Sequence, residues 1–184
     1  MDRKQRDPLA WEEIRTEHVV KDEWIDFKKS AYRFPDGSVF EPYYSYSRKN
    51  YVVIVATDTD GNYLCVRQFR QGISKVTTEF PAGAIEWGEL EDALIAAKRE
   101  LREETGYESD EWTPLQIVAS NATLADNYAY LYAAKNCRKV SAQDLDDTEF
   151  LHVGLYSAGE LEKMIRSGDF EQIVHIAAWF LSRE

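Results

Sequence analysis

The chain of 184 residues is 44% hydrophobic and 13% aromatic. This composition fits one folded domain with a short additional element and argues against disorder. The formal net charge is −11, and no basic run is longer than a pair such as Lys28-Lys29. A nucleic-acid polymer is therefore a poor candidate partner, because proteins that bind one carry a basic stripe. A small phosphorylated substrate remains compatible with this charge, since bound divalent cations neutralise both partners.

The start of the chain is polar, and no apolar stretch is long enough to span a bilayer. The two cysteines, Cys65 and Cys137, are too few for a disulfide framework. We therefore expect a cytoplasmic protein that does not associate with a membrane. The three histidines are scattered, none at metal-ligand spacing, and we interpret them as structural: His18, His152 and His175.

The first third of the chain predicts strands. Residues 1–45 form an arm followed by a strand-rich extension, in which Pro35-Asp36-Gly37 is typical of a turn. Residues 46–184 form the main domain. Its predicted strands are 51–57 and 63–68, joined by the turn Asp60-Gly61-Asn62, and then 112–118, 128–133 and 148–155.

Three helices are predicted in the main domain. The first covers about 91–105 and ends before Gly106. Ser157 and Glu160 form a capping box that opens the second, and Asp169 is placed to cap the third. In the third helix four apolar positions keep helical spacing: Ile173, Ile176, Ala177 and Phe180. Strands, one helix, strands and then helices indicate an α+β sandwich with a mixed sheet.

The first of these helices carries an unusual group of acids. Glu100, Glu103 and Glu104 stand at i, i+3 and i+4, so they share one face beside the apolar stripe. Oxygen donors grouped in this way suit Mg²⁺ or Mn²⁺, whereas zinc would require His or Cys. Arg99 is placed to pair with Glu103 one turn further on. A solvated charged helix face is the alternative interpretation of these residues.

Arg99 to Tyr107, together with Gly83 and Glu89, resembles the signature of the Nudix hydrolase family: Gly, five residues, Glu, seven residues, then Arg-Glu-apolar-x-Glu-Glu-x-Gly-apolar. Nine residues separate Glu89 from Arg99 where the family has seven, so the chain carries a two-residue insertion. Either Glu89 or Glu91 could then fill the outer glutamate position.

Three further segments resemble the branch of the family that hydrolyses ADP-ribose and other nucleoside-diphosphate sugars: 66–70, 79–83 and 147–153. The resemblance implies a Nudix-type α/β/α sandwich and a homodimer whose N-terminal strands are exchanged between subunits. It also implies a small nucleotide-sugar substrate that is cleaved at its diphosphate to a nucleoside monophosphate and a sugar phosphate.

Roles follow from the resemblance residue by residue. Glu100, Glu103, Glu104 and the backbone carbonyl of Ala82 are expected to bind Mg²⁺, with Mn²⁺ as the alternative.

Arg70 and Glu79 are expected to contact substrate, although an intramolecular ion pair is the competing interpretation. Glu149 is the expected catalytic base, with Asp146 and Asp147 as neighbouring competitors, and Arg99 belongs to the same catalytic set.

The substrate is less firmly specified than the chemistry. ADP-ribose-specific members carry a proline about sixteen residues past the signature, and the corresponding stretch 120–126 contains none. We therefore expect a range of nucleoside-diphosphate sugars. The two alternatives are a Nudix-fold binding module without activity and a Nudix hydrolase of nucleoside triphosphates or coenzyme A.

Overall fold

The computed structural model describes residues 7–90 and 92–183. The strands in this part of the chain are β1 Glu12–Lys21, β2 Asp26–Arg33, β3 Val39–Ser47, β4 Tyr51–Asp58, β5 Tyr63–Arg70, β6 Lys75–Glu79, β7 Ala82–Ala84, β8 Tyr107–Glu108, β9 Glu111–Ala119, β10 Tyr128–Lys139 and β11 Leu151–Tyr156. The helices are α1 Ala93–Thr105, α2 Ala158–Ser167 and α3 Ile173–Leu181, and a short 3₁₀ turn lies at Trp87–Glu89.

The chain divides into two compact units. The first comprises the residues up to 48 together with 119–127, and it contains the antiparallel sheet β1-β2-β3. One cluster of rings in this unit consists of Trp11, Tyr32, Phe34, Phe40 and Tyr43. All but one residue of β1 are exposed, so this strand buries little of its surface within the chain.

The second unit comprises 49–118 and the residues from 128 onward. Its sheet has the order β11-β5-β4-β10-β8, with β6 beside β5, β7 beside β4, and β9 beside β10. β4 and β10 run parallel, whereas β4–β5, β5–β6, β5–β11 and β4–β7 are antiparallel. The sheet is therefore mixed, as the order of the predicted elements indicated.

Strand β4 separates two apolar cores because alternate side chains of a strand point to opposite faces. Val52 and Ile54 pack in one core with helix α1, which contributes Ala97 and Leu101. The β4 side chains that point to the opposite face, Val53 and Val55, pack in the second core. This core also contains Leu161 of α2 and Ala178 and Trp179 of α3. Helices thus cover both faces of the sheet, which confirms the predicted α/β/α sandwich.

Several local predictions are correct. β4 and β5 meet at the turn that contains Gly61, whose φ is +80°. Helix α1 ends at Gly106, which adopts a left-handed φ of +74°. The capping box of Ser157 and Glu160 opens α2. In the described part of the chain, no helix is both long enough and apolar enough to cross a bilayer.

The last helix differs from its prediction. Asp169 does not cap α3: its carboxylate accepts from the Ser167 hydroxyl, and its amide donates to the carbonyl of Met164. The residue therefore belongs to the end of α2, and α3 begins only at Ile173.

The four apolar positions that keep helical spacing in α3 are not the most buried ones, although Ile176 packs against the second core. Ile173 and Phe180 are exposed, and the buried residues of this helix are His175, Ala178 and Trp179. Almost every residue of α3 is apolar, so its sequence spacing could not distinguish the face that packs.

Candidate metal and active site

Helix α1 sets the positions of the acidic side chains. Asp92 caps its start by accepting from the amide of Leu94, and Gly106 closes its end. The apolar stripe of the helix packs on the sheet, which carries the neighbouring side chains inward. Glu100 is 7% exposed and Glu104 only 1% exposed. These carboxylates are not part of a solvated helix face, the alternative that the sequence left open.

Strand β7 lies directly under the two buried carboxylates. Oε2 of Glu104 accepts from the backbone amide of Ala82 at 2.9 Å. The carboxylate of Glu100 lies over Gly83, where an added Cβ would be 2.0 Å from its Oε1. Position 83 therefore has to be glycine if the Glu100 carboxylate is to occupy this place.

Arg99 connects the acids of this region. Its Nε and Nη2 form a bidentate pair with Glu89 at 2.7 and 3.0 Å. Its Nη1 donates to Glu100 at 2.8 Å and to Glu103 at 2.9 Å, and Nη2 also donates to the carbonyl of Ala84 at 2.9 Å. All five N–H groups of the guanidinium are thus used. This arrangement makes Arg99 a positioning residue for the surrounding carboxylates.

A short turn precedes helix α1 and contains Glu89. Glu89 and Glu86 form a capping box around the 3₁₀ turn, in which Glu89 accepts from the Glu86 amide at 2.9 Å. Lys49 contacts the Glu86 side chain at 2.7 Å. The turn presents Glu89 to Arg99, and this pair lowers the pKa of Glu89. Glu91, the other candidate for the outer position, lies outside the described residues.

Burial opposes the ionisation of the two inner glutamates. Burial raises the pKa of Glu100 to about 7, against the attraction of Arg99 and with further repulsion from Glu103 and Glu149. Burial likewise raises the pKa of Glu104, and the charge of Glu100 raises it further. One guanidinium therefore does not balance the carboxylates, and a bound cation would.

The donor set fits a hard divalent cation. Among the described residues, Glu100 uses only Oε1 in a hydrogen bond and Glu104 only Oε2, so each has a second oxygen available. Within residues 7–90 and 92–183, no three acidic, His or Cys side chains already converge as a metal site. The Arg99 guanidinium stands between Glu100 and Glu103 and accounts for the separation of those two.

The predicted substrate residues contact each other. Arg70 donates to both oxygens of Glu79, which is fully buried and also accepts from Gln68 at 2.6 Å. Burial raises the pKa of Glu79, against the attraction of Arg70. This is the intramolecular ion pair that the sequence left as an alternative. The Arg70 side chain is still 37% exposed. Gln68 was not predicted to belong to the site, although its i, i+2 spacing from Arg70 places both side chains on the same face of one strand.

The predicted base lies on the segment between β10 and β11. Glu149 forms a turn with Asp146: its amide donates to the Asp146 carbonyl at 2.9 Å, and its Oε2 accepts from the Asp146 amide at 3.2 Å. The Glu149 charge raises the pKa of both Glu100 and Glu104. This electrostatic effect is consistent with Glu149 facing the buried pair.

Other polar features lie apart from this cluster. The imidazole of His175 is buried and accepts from the Phe80 amide at 3.2 Å, and burial lowers its pKa to about 3. His18 pairs with Asp26 at 2.6 Å. A groove of about 280 Å³ contains none of the predicted site residues; it is lined by Arg67, Val76, Thr78, Tyr156, Met164 and Asp169.

Comparison with known proteins gives consistent matches. The chain is 38% identical over 101 residues to a methanol dehydrogenase activator of Bacillus methanolicus, which is 54% of each chain. It is 29% identical over 117 residues to an ADP-ribose pyrophosphatase of Bacillus subtilis strain 168, covering 63% of this chain and 62% of the relative. It is 30% identical over 127 residues to an ADP-ribose pyrophosphatase of Mycobacterium tuberculosis, covering 68% and 61%. The matches thus span less than two thirds of each of these relatives.

The fold has a solved counterpart. A crystal structure described as an ADP compounds hydrolase superposes with a TM-score of 0.79 at 20% identity, covering 94% of this chain and 92% of that one. The model of the NUDIX domain family matches residues 47–179, which is more than half of the chain and includes the acidic helix with Arg99. The chain belongs to the Nudix family, as its acidic motif predicted.

Proposed function

We propose that this chain is a divalent-metal-dependent pyrophosphohydrolase of nucleoside-diphosphate sugars such as ADP-ribose. Mg²⁺ is the proposed ion and Mn²⁺ the alternative. The observation that carries the proposal is the buried pair Glu100 and Glu104, whose carboxylates lie beside strand β7 and each keep one oxygen available. Two of the relatives are named as ADP-ribose pyrophosphatases, and this supports the proposed substrate class.

Glu100 and Glu104 would hold the metal, with Glu103 and the carbonyl of Ala82 as further ligands. When bound, the metal neutralises charge on the diphosphate and makes a water easier to deprotonate. Arg99 keeps the acids oriented through four donated hydrogen bonds, and a fifth joins it to the carbonyl of Ala84.

Glu149 would accept the proton of the attacking water. The water oxygen bonds to one phosphorus, and the bridging oxygen leaves with the other phosphate. Arg70 would fork onto a phosphate of the substrate, because a guanidinium matches phosphate oxygens in a bidentate manner. Glu79, which is fully buried, would serve the substrate site by orienting Arg70 through their ion pair.

Replacing Glu104 tests the metal assignment. Glu104→Gln keeps the shape and the acceptor for the Ala82 amide, and we expect turnover to fall by more than about 100-fold at saturating Mg²⁺. Glu108→Gln is the matched control, since this exposed glutamate pairs only with Arg102 at 3.2 Å. Circular dichroism checks that both variants fold. Hydrolysis by Glu104→Gln at the rate of the control would reject the assignment.

A substrate panel tests the proposed specificity against its alternatives. ADP-ribose, ADP-glucose, UDP-glucose, ATP and coenzyme A are incubated with Mg²⁺, and release of nucleoside monophosphate or phosphate is measured. We expect the sugar nucleotides to be cleaved fastest. Faster cleavage of ATP or coenzyme A would show that nucleoside-diphosphate sugars are not the preferred substrate class. Binding without cleavage would favour a binding module, a second candidate supported by the relative named as an activator of a dehydrogenase.

We also propose a homodimer in which residues 1–45 contribute to the interface. The support is the set of half-exposed apolar side chains on the three-stranded sheet: Trp11, Ile14, Val19, Val20, Val39, Phe40 and Tyr44. A monomer in light scattering at micromolar concentration would contradict this. We place the protein in the cytoplasm, which fits its two free, buried cysteines.

A further inference from the structure

The last carbonyls of helix α1 are bonded by the segment that follows β10. The final turn of a helix leaves its carbonyls without partners inside the helix. The amide of Asp144 donates to the carbonyl of Glu103 at 2.9 Å. The side-chain Nε2 of Gln143 donates to the carbonyl of Glu104 at 2.6 Å. Gln143 therefore contacts the same residue whose carboxylate lies in the candidate metal site.

The same segment makes close backbone contacts at the end of the helix. The amides of Val140 and Ser141 both donate to the carbonyl of Gly106, at 2.8 and 3.2 Å. A Cβ at position 106 would be 2.3 Å from the carbonyl oxygen of Ser141. Residues 140–144 are thus packed onto α1 closely enough that a side chain at 106 would displace them.

The other end of the segment is anchored in the sheet. Leu151 begins β11, is 4% exposed and pairs with Gln68 of β5. Between this anchor and residues 140–144 lies the turn formed by Asp146 and Glu149. The position of Glu149 relative to the buried acids therefore depends on two attachments, namely residues 140–144 at the end of α1 and Leu151 in β11. Of these two, only residues 140–144 make a side-chain hydrogen bond to α1, through Gln143.

We propose that Gln143 is a positioning residue that holds the segment carrying Glu149 against the carboxyl end of the metal-binding helix. The inference rests on the proposed function, since it assigns Gln143 a role through Glu149. A single hydrogen bond of this kind contributes on the order of 1 kcal/mol, so its loss should undock the segment about five- to tenfold more often. Substrate binding through Arg70 and Glu79 does not involve this contact.

The first experiment compares variants that keep or lose the donor. Gln143→Met removes the N–H group at similar length, and we expect kcat to fall by at most the increase in undocking, about five- to tenfold, with KM and Mn²⁺ affinity unchanged. Gln143→Lys retains a donor and should restore kcat to near the wild-type value. Gln116→Met, at an exposed position of β9, is the matched control and should leave kcat unchanged. Equal kcat for Gln143→Met and its control, or failure of the lysine to rescue, would overturn the proposal.

The second experiment combines Gln143→Met with Glu149→Gln. If Gln143 acts through Glu149, the double variant should be no slower than Glu149→Gln alone. Additive losses would show that Gln143 acts elsewhere and would overturn the inference. Full activity of Glu149→Gln would instead remove the base from the proposed function, and the inference with it. A slow Glu149→Gln with an unaffected Gln143→Met would leave the proposed function intact.

A third measurement does not require activity. In metal-free protein, Gln143→Met should raise the hydrogen-exchange rate of the Asp144 amide about five- to tenfold, because this amide is bonded to the Glu103 carbonyl only while the segment is docked. The amide of Leu161 in α2, which donates to Ser157, serves as an internal reference. Unchanged exchange at Asp144 would also count against the role of Gln143.

Discussion

The buried charge of Glu100 leads to a test in which activity and stability change in opposite directions. Glu100→Gln removes a carboxylate whose side chain is 9% exposed and whose pKa is about 7 in place of 4.5. Because the pKa is higher in the folded protein than in the unfolded one, ionised Glu100 destabilises the fold above pH 7, and the effect vanishes below pH 4.5. One pKa unit corresponds to about 1.4 kcal/mol, so the penalty is about 3 kcal/mol.

We therefore expect Glu100→Gln to be more stable than the wild-type protein by up to about 3 kcal/mol at pH 8 in EDTA, and nearly equal to it at pH 4.5. Its hydrolytic activity should nevertheless be lost. Adding Mg²⁺ should stabilise the wild-type protein more than the variant, because the variant lacks one of the proposed carboxylate ligands. Urea unfolding followed by fluorescence measures each state. A variant that is less stable than wild type at pH 8 in EDTA would refute the charge argument.

Three further predictions use other positions. Gly83→Ala should lower kcat/KM about 100-fold, because the added Cβ would displace the Glu100 carboxylate. Gly88→Ala is the control and should not lower kcat/KM, because a Cβ at this position has nothing within 4 Å. Steady-state assays compare the two variants. Folding lowers the pKa of His175 from 6.5 to about 3. Between these two pH values the free energy of unfolding of the wild-type protein should fall by about 1.4 kcal/mol per pH unit of acidification, relative to His175→Asn. Urea unfolding measures both proteins. Equal slopes would contradict this. Ser157→Ala should cost about 1 kcal/mol in thermal unfolding, because the capping box of α2 is lost, and an unchanged Tm would reject that contribution.

The sequence predicted those parts of the fold that depend on local patterns. The spacing of apolar residues and Gly106 located α1, and the turn at Gly61 located the hairpin of β4 and β5. β6 and β7 were not predicted. Each is five residues or fewer, they flank Pro81, and they form strands by pairing with β5 and β4. Strands as short as these leave no clear local periodicity, so the sequence pattern did not reveal them.

In the candidate site, too, the sequence predicted the features that follow from local spacing and missed those that depend on tertiary contacts. Helical spacing predicted that Glu100 and Glu104 share a face, and the structure buries both. The contact of Glu89 with Arg99 could not be deduced, because it crosses a turn of irregular length. The contact of Gln143 with the helix end depends on the path of a segment 39 residues away in sequence. Contacts of this kind follow from tertiary structure and not from spacing.

The fully engaged guanidinium of Arg99 has an evolutionary consequence. Because it holds Glu89, Glu100 and Glu103 at once, replacing Arg99 would leave three carboxylates without their shared donor, and replacing one glutamate would leave an N–H group of Arg99 without its acceptor. Lysine could not substitute, since its ammonium has three donors and no planar fork. We therefore expect Arg99 and these three glutamates to be substituted together in related proteins that have lost activity. Related proteins that hydrolyse substrate should retain all four residues.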